Sequence, residues 1–275
     1  MIPIHASNSV DNRKVAINKL SKLNDYDFTE AHRHDYFELF FFEDGGGVHI
    51  IDFQEIAIQS NSIHIVAPGQ VHQMRRELDS SGYVFLFGLD AVQHSPEIEG
   101  FLIDQICAIG DERTPTYVMK TEERELMAML LEESWASNKS KDIYHQSITI
   151  NALERLCIQC MKLVKPMESY KANEYGEFRR MLFTSYKEKR KVQDYVDELN
   201  ISAKSLNELV KKHTGKNVSQ HIYDQVILEA KRLLLLGGSA KEVGYELKFE
   251  DPAHFSKFFK AQTGSSPSDF LKVHR

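Results

Sequence analysis

One stretch of this chain occurs twice. KKHTGKNVSQHI (211–222) and KAQTGSSPSDFL (260–271) each run from a basic residue through a Thr-Gly pair to a polar restart. Glycine ends helices because it enters the left-handed conformation without a Cβ penalty, and Ser, Asn or Asp before an apolar run starts them. The recurrence therefore predicts one supersecondary unit used in tandem.

The surrounding pattern is helical almost throughout. Glu174 to Lys189, Val192 to Leu199, Ala203 to His213, Val218 to Leu236, Lys241 to Leu247, Pro252 to Gln262 and Pro267 to Lys272 give seven expected helices. In the first unit a short helix ends at Asn200, Ser202 caps the next, and Leu199, Ile201, Leu206, Leu209 and Val210 supply the internal contacts. In the second, Asp251 caps, Pro252 suits the first helical turn, and Val243, Leu247, Phe249, Phe255, Phe258 and Phe259 take the apolar places. That is the layout of two helix-turn-helix units, in which a reading helix meets base edges with residues near its N-terminus.

Charge follows the same division. The net charge is -6, yet residues 171–275 carry 19 Lys+Arg against 14 Asp+Glu, and residues 1–170 carry 15 against 26. A basic module beside an acidic one fits one half held against phosphates. The 3 cysteines, Cys107, Cys157 and Cys160, are too few and uneven for a disulfide framework and point to a reducing compartment. Cys157 and Cys160 form a CxxC inside an apolar helical pattern, which reads as core packing. No apolar run approaches a membrane span and the N-terminus has no signal-peptide pattern, so the expected location is the cytoplasm, with no membrane partner.

The N-terminal half has a different rhythm. From about Phe28 to Phe87, short runs rich in Phe, Ile and Val alternate with Gly45-Gly46-Gly47, Ser60-Asn61-Ser62 and Pro68-Gly69, which predicts several short strands in a barrel or sandwich. Helical spacing takes over at 121–137 and 142–164. Ile143, Ile150, Cys157 and Val164 recur every seventh residue and suggest a helix-helix seam, hence a homodimer. KPMESYKAN (165–173) reads as a linker. The expected fold class is α+β in two domains. Residues 1–164 would form a cupin-type β-barrel (about 25–95) with trailing helices (about 121–164), and residues 174–275 an all-α domain of seven helices with two helix-turn-helix units.

LNISAKSLNELVKKHTGKNVSQHI, ILEAKRLLL and FEDPAHFSKFFKAQTGSSPSDF, in this order and spacing, resemble the AraC/XylS family of bacterial regulators over about residues 175–275. The resemblance implies a long central helix, here Val218 to Leu236, holding two reading helices in successive major grooves of promoter DNA. Carried over by position, the readers are Lys204, Ser205, Asn207 and Glu208 in the first unit and Ala253, His254, Ser256 and Lys257 in the second. It also implies RNA polymerase as a partner and no catalysis. The chain departs from the family pattern at Glu208, where arginine is usual, at Lys248, where glycine is usual, and at Val226, where arginine is usual.

His32, His34, Glu38 and Gly45 have the spacing of the first cupin motif, and Pro68-Gly69-Gln70-Val71-His72 resembles the second, with Arg76 in place of its final Asn. Residues two apart on a strand share a face, so His32, His34, Tyr36, Glu38, Phe40 and Phe42 are expected to face the barrel interior. His32, His34, Tyr36, Glu38, Phe40 and His72 then form the expected site for a small-molecule effector, a sugar or an aromatic acid. His32, His34, Glu38 and His72 are also a competent set for a divalent metal, although regulators of this kind usually bind their effectors without one. His49 and His64 are expected on exposed or edge strands, without a specific role. Two competing classes are a cupin metalloenzyme (oxygenase or isomerase) with an accessory helical domain, and an architectural DNA-bending protein.

Overall fold

A computed structural model describes residues 4–5, 14–20, 30–52, 54–106, 116–163 and 174–274. The chain divides into two compact units, one bearing sheets before residues 164–173 and one of helices after them. The expected linker, Val164 and Cys107 lie outside the described residues.

The first unit contains strands β1 (Ile4–His5), β2 (Val15–Leu20), β3 (Arg33–His34), β4 (Phe37–Asp44), β5 (Gly47–Ile51), β6 (Gln54–Ala57), β7 (Ser62–Val66), β8 (His72–Arg76) and β9 (Ser81–Phe87). Helix α1 (Pro96–Ile106), strand β10 (Thr116–Val118) and helices α2 (Thr121–Ser140) and α3 (His145–Leu163) follow. A five-stranded sheet in the order β10-β7-β4-β9-β2 faces a three-stranded sheet in the order β6-β5-β8, and β1 pairs with β3. The expected barrel is thus built of two facing sheets, and the backbones of His32, next to β3, and His72 on β8 bond reciprocally (3.0 and 2.9 Å). It also exceeds the expected 25–95 span, because β2 and β10 complete the larger sheet.

Strand β4 explains how both faces of that sheet are used. Phe37 through Phe42 are all buried. Phe40 and Phe42 enter the inter-sheet core with Leu20, Ile51, Val66, Met74, Val84 and Leu86. The alternate residues Leu39 and Phe41 lie opposite Ile65 and Ile63, on the other face. Helices α2 and α3 pack beside β2: Gln146 accepts from Val15 N (3.0 Å) and donates back to Val15 O (3.2 Å), while Lys19 pairs with Glu132 at 2.6 Å.

Among the described residues the expected heptad stripe is not one exposed helix face. Ile143 precedes α3 and is exposed, whereas Cys157 is fully buried in the unit's own core. Helix α3 buries Thr149, Ala152, Leu153, Leu156, Cys157 and Cys160, a three-four spacing that serves one packed face. The cysteines are free and buried, and burial pushes both thiols up, that of Cys160 further by the neighbouring Cys157.

The second unit has the seven expected helices: α4 (Glu174–Ser185), α5 (Val192–Leu199), α6 (Ala203–Thr214), α7 (Val218–Leu235), α8 (Ala240–Glu246), α9 (Pro252–Thr263) and α10 (Pro267–His274). Helix α7 is divided between two cores. Val218 and Ile222 join Tyr175, Phe178, Leu182, Tyr195, Val196, Leu206 and Val210. Val226, Ile227, Ala230 and Leu234 join Val243, Leu247, Phe249, Phe255, Phe259 and Phe270.

Gly82 fixes the meeting of β9 with β4. It lies opposite Phe42 with φ 151°, and a Cβ there would stand 1.9 Å from the Phe41 carbonyl oxygen. Gly82→Ala is therefore expected to destabilise the sheet-bearing unit by on the order of 2–3 kcal/mol, measured by urea unfolding of the full chain. An unchanged midpoint would show that the strand pair can shift to admit the methyl.

Candidate DNA interface and effector site

The duplication is repeated in the hydrogen bonds. Ser202 Oγ accepts from Ser205 N at 3.0 Å and starts α6; Asp251 Oδ1 accepts from His254 N at 2.7 Å and starts α9. Both helices end on a left-handed glycine, Gly215 (φ 75°) and Gly264 (φ 80°), whose N–H groups bond Lys211 O and Lys260 O. The preceding threonines donate to the turn above, Thr214 to Val210 O and Thr263 to Phe259 O, each at 2.8 Å. α6 and α9 carry no acidic residue in their first turn, whereas α4, α5, α8 and α10 do. Only the start of α6 is free of a carboxylate and keeps its partial positive charge available to a phosphate, since the cap of α9 is itself Asp251.

Lys204, Ser205 and Glu208 on α6 and Ala253, His254 and Lys257 on α9 are exposed, while Leu206, Val210, Phe255 and Phe259 face inward. Lys204 and Glu208 stand one turn apart, with Nζ 3.9 Å from Oε1. Two of the expected readers are engaged elsewhere. Asn207 donates to Ala203 O (2.9 Å) and accepts from Val218 N (3.1 Å), so its amide ties α6 to the start of α7. Ser256 donates back to Pro252 O at 2.9 Å.

In the sheet-bearing unit, polar side chains cross the interior as a chain. His34, Glu38, His49, Ser62, His64 and His72 are all buried. His49 and His64, expected at an exposed edge, are its centre. His64 lies on β7, which is buried on both faces, so residue alternation cannot tell inward from outward there, whereas on β5 buried His49 and Ile51 alternate with half-buried Val48 and Ile50.

The direction of the protons follows from the ends of the chain. Ser62 Oγ donates to Gln59 O (2.6 Å), so it accepts from His64 Nε2–H (3.2 Å). A neutral imidazole has one N–H, so His64 Nδ1 accepts from His49 Nδ1–H (3.2 Å), and His49 Nε2 from His72 Nδ1–H (3.1 Å). Burial holds these rings neutral: His49 and His72 are pushed well below the ordinary imidazole value, and His64 down to about 3. At the other end His34 Nδ1 lies 2.6 Å from Tyr36 O and must donate to it. The lone pairs of His34 Nε2 and His72 Nε2 therefore meet at 3.2 Å, with Glu38 Oε2 3.3 and 3.4 Å away. One proton or one cation is needed there to link the three.

The donor set fits a cation through His34, Glu38 and His72, whose ligand atoms lie within 4.8 Å of one another. His32, the fourth expected member, does not join them. Its ring packs on His72 (centroids 4.2 Å apart) and its Nδ1 points to Glu30 O (3.1 Å). Tyr36 precedes β4 and stacks on His34 at 4.3 Å, and Phe40 stands edge-on to His49 at 5.3 Å. Burial, followed by the charges of Glu38 and Asp35, pushes the Tyr36 hydroxyl up, so it stays protonated as a donor.

Comparison with known proteins agrees with both halves. The sequence pattern of the AraC-like ligand-binding domain matches residues 21–132, and that of a helix-turn-helix domain matches residues 195–272. The chain belongs to the AraC family. This AraC-family chain is a DNA-binding transcription regulator with an effector-binding domain. It is 21% identical over 245 residues to the HTH-type transcriptional activator RhaS of Yersinia pestis, covering 86% of this chain and 87% of RhaS. Among solved structures it is similar to ToxT from Vibrio cholerae (14% identity, TM-score 0.44, 95% of this chain and 98% of that one). It is also similar to the DNA-binding domain of AdpA in complex with a target DNA (24% identity, TM-score 0.35, 38% of this chain and 95% of that one). No helix among the described residues is long and apolar enough to cross a membrane.

The neutral imidazoles make the unit acid-sensitive. His64 binds its proton near pH 6.5 when unfolded and only near 3 when folded, so its contribution is complete above pH 6.5 and lost as pH falls. At pH 5 the loss from His64 alone is about 2 kcal/mol, and His49 adds to it in the same direction. Unfolding of the full chain followed by Trp135 fluorescence should show the decline between pH 7.5 and 5. A flat profile would mean that the rings are not held neutral.

Proposed function

We propose that this regulator binds a small organic effector, a sugar or an aromatic acid, against His34, Glu38 and His72, with Tyr36 and Phe40 beside them. It reads promoter DNA through Lys204, Ser205 and Glu208 of α6 and Ala253, His254 and Lys257 of α9, with Asn207 and Ser256 as supports. The observation that carries the DNA reading is the pair of helices, each side-chain-capped at its start and ended on a left-handed glycine, with exposed first turns. The working form is a cytoplasmic homodimer that recruits RNA polymerase and performs no catalysis. Since the seventh-residue stripe is not a surface, the dimer contact falls on the open groove of about 530 Å³ between α2 and α3, lined by Leu126, Leu130, Ile148 and Ala152.

The test is a binding titration with the full chain on duplexes from the promoters of adjacent genes. Affinity should fall steeply with salt. Lys257→Ala should weaken binding on every sequence and reduce the salt slope by about 1. His254→Ala should cost about 1–3 kcal/mol on the preferred sequence and relax base preference. Weak binding that is equal on all duplexes would refute specific recognition.

For the effector, a panel of sugars and aromatic acids should contain a compound that raises the melting temperature of the full chain, and Glu38→Ala should abolish that rise. A rise that survives Glu38→Ala would move the site elsewhere. The three converging lone pairs favour a second reading, in which a divalent cation replaces the proton between His34, Glu38 and His72. Cobalt(II) titration would then give the visible absorption of a nitrogen and oxygen site, lost in His72→Ala; no spectrum at stoichiometric cobalt would remove that reading.

A further inference from the structure

The two helix-turn-helix cores share α7, and the loop between α4 and α5 joins them a second time. Tyr186 packs against both cores. Lys187 Nζ stands 2.7 Å from Glu246 Oε1 at the end of α8. The Arg190 guanidinium lies over the ring of Phe249, its Cζ 4.4 Å from the centroid. A loop of the first unit thus touches the second at three places.

Both sides of the Arg190 contact are fixed. On its own side, Asp194 accepts from the N–H groups of Arg190 (3.0 Å) and Lys191 (2.9 Å), and the Tyr195 hydroxyl donates to Lys189 O (3.0 Å). The loop is therefore fastened to α5, the helix that precedes the first reading helix. On the other side, Lys248 turns the chain through a left-handed conformation (φ 57°), and Phe249 N bonds Gly244 O at 2.9 Å. The Phe249 ring then meets His254 at 5.4 Å, Phe255 at 5.4 Å and Phe258 at 5.3 Å, all on α9. Phe249 is the seat of the second reading helix, and Arg190 presses on that seat.

We propose that Arg190, assisted by Lys187, is a positioning residue that sets where α9 stands relative to α6, and so which spacing of two DNA half-sites the chain can engage together. Two cores strung along a single helix can still rock about its surface, and a second attachment at the base of α9 removes that freedom. Arg190 carries the larger share, because its guanidinium is partly desolvated against a ring, with Nη2 buried, while the Lys187 to Glu246 pair is more open to solvent. The departure from the family pattern at Lys248 falls at this contact and gives the turn its left-handed residue without a glycine. The proposal rests on the reading that α6 and α9 enter DNA together.

The experiment uses the full chain and a duplex that the unsubstituted protein selects from a random-sequence library, together with versions in which either half-site is scrambled or the spacing is changed by one or two base pairs. Arg190→Ala should bind the intact duplex about tenfold more weakly, bind each single-half-site duplex as the unsubstituted chain does, and lose sensitivity to spacing. Lys187→Ala should act in the same direction by a smaller factor. Phe249→Leu, which keeps an apolar residue in the core, should reproduce the Arg190→Ala pattern, and the double substitution should be no worse than either single one. Equal weakening on all duplexes, with the salt slope reduced by about 1, would make Arg190 a phosphate ligand and overturn the proposal. Unchanged binding and unchanged spacing preference would overturn it as well. If the unsubstituted chain tolerates scrambling of one half-site, tandem reading itself fails and the positioning role falls with it.

Discussion

The DNA-facing unit depends on the division of α7 between two cores. Val218 and Ile222 close the first and Val226, Ala230 and Leu234 close the second, so neither core is complete without this helix. Each core is small, built from three or four short helices that could not bury enough apolar surface alone. The stretch of α7 where the cores adjoin also buries Gln225, Glu229 and Arg232, with Glu229 and Arg232 side by side at 3.8 Å. A helix that carries polar groups inward at its waist is held in one rotation, because turning it would expose apolar residues and bury other charges. Fixed rotation of α7 sets which of its faces each core takes, and leaves to the Arg190 contact the rocking of one core against the other.

The sheet-bearing unit is built on the opposite economy. Five imidazoles, a carboxylate and a hydroxyl are buried beside a core of phenylalanine, isoleucine, leucine, valine and methionine. Such groups survive burial only when each lone pair finds a proton, and the run from Ser62 through His64 and His49 to His72 satisfies that condition in one direction only. The direction leaves His72 Nε2 as an acceptor facing Glu38 and His34. A hydroxyl at residue 62 thus fixes which nitrogen of His72 is left as an acceptor.

How much of this was legible in the sequence depended on whether the determining interactions are local. Helix starts at Ser202 and Asp251 and stops at Gly215 and Gly264 are encoded within four residues, so the seven helices were readable along with the outward faces of α6 and α9. Strand β2, helix α1 and strand β10 were not, because their signals are weak without the neighbours they pair with or cover. His32 was placed with His34 by spacing, but the backbone bridge to His72 turns its ring against that imidazole instead. Asn207 looked like a base reader because its position on α6 faces out, and only the fold brings Val218 N within its reach. The seventh-residue stripe failed for a related reason: Ile143 lies before α3 begins, and Cys157 is needed inside.

Strand β9 connects these two levels of the sheet-bearing unit. Its Val84 and Leu86 face the interior that holds the imidazole chain, while Tyr83, on the opposite face, is buried and bonds Glu132 of α2. Glu132 in turn holds Lys19 of β2, whose Nζ lies 5.1 Å from the centre of the Trp135 ring. A rigid strand cannot displace one face and keep the other still, since successive side chains are fixed on a single backbone. A ligand that shifted Val84 or Leu86 would strain the Tyr83 to Glu132 contact, and with it the helix that also carries exposed Leu126 and Met129. The sheet interior and helix α2 are thus joined through a single strand.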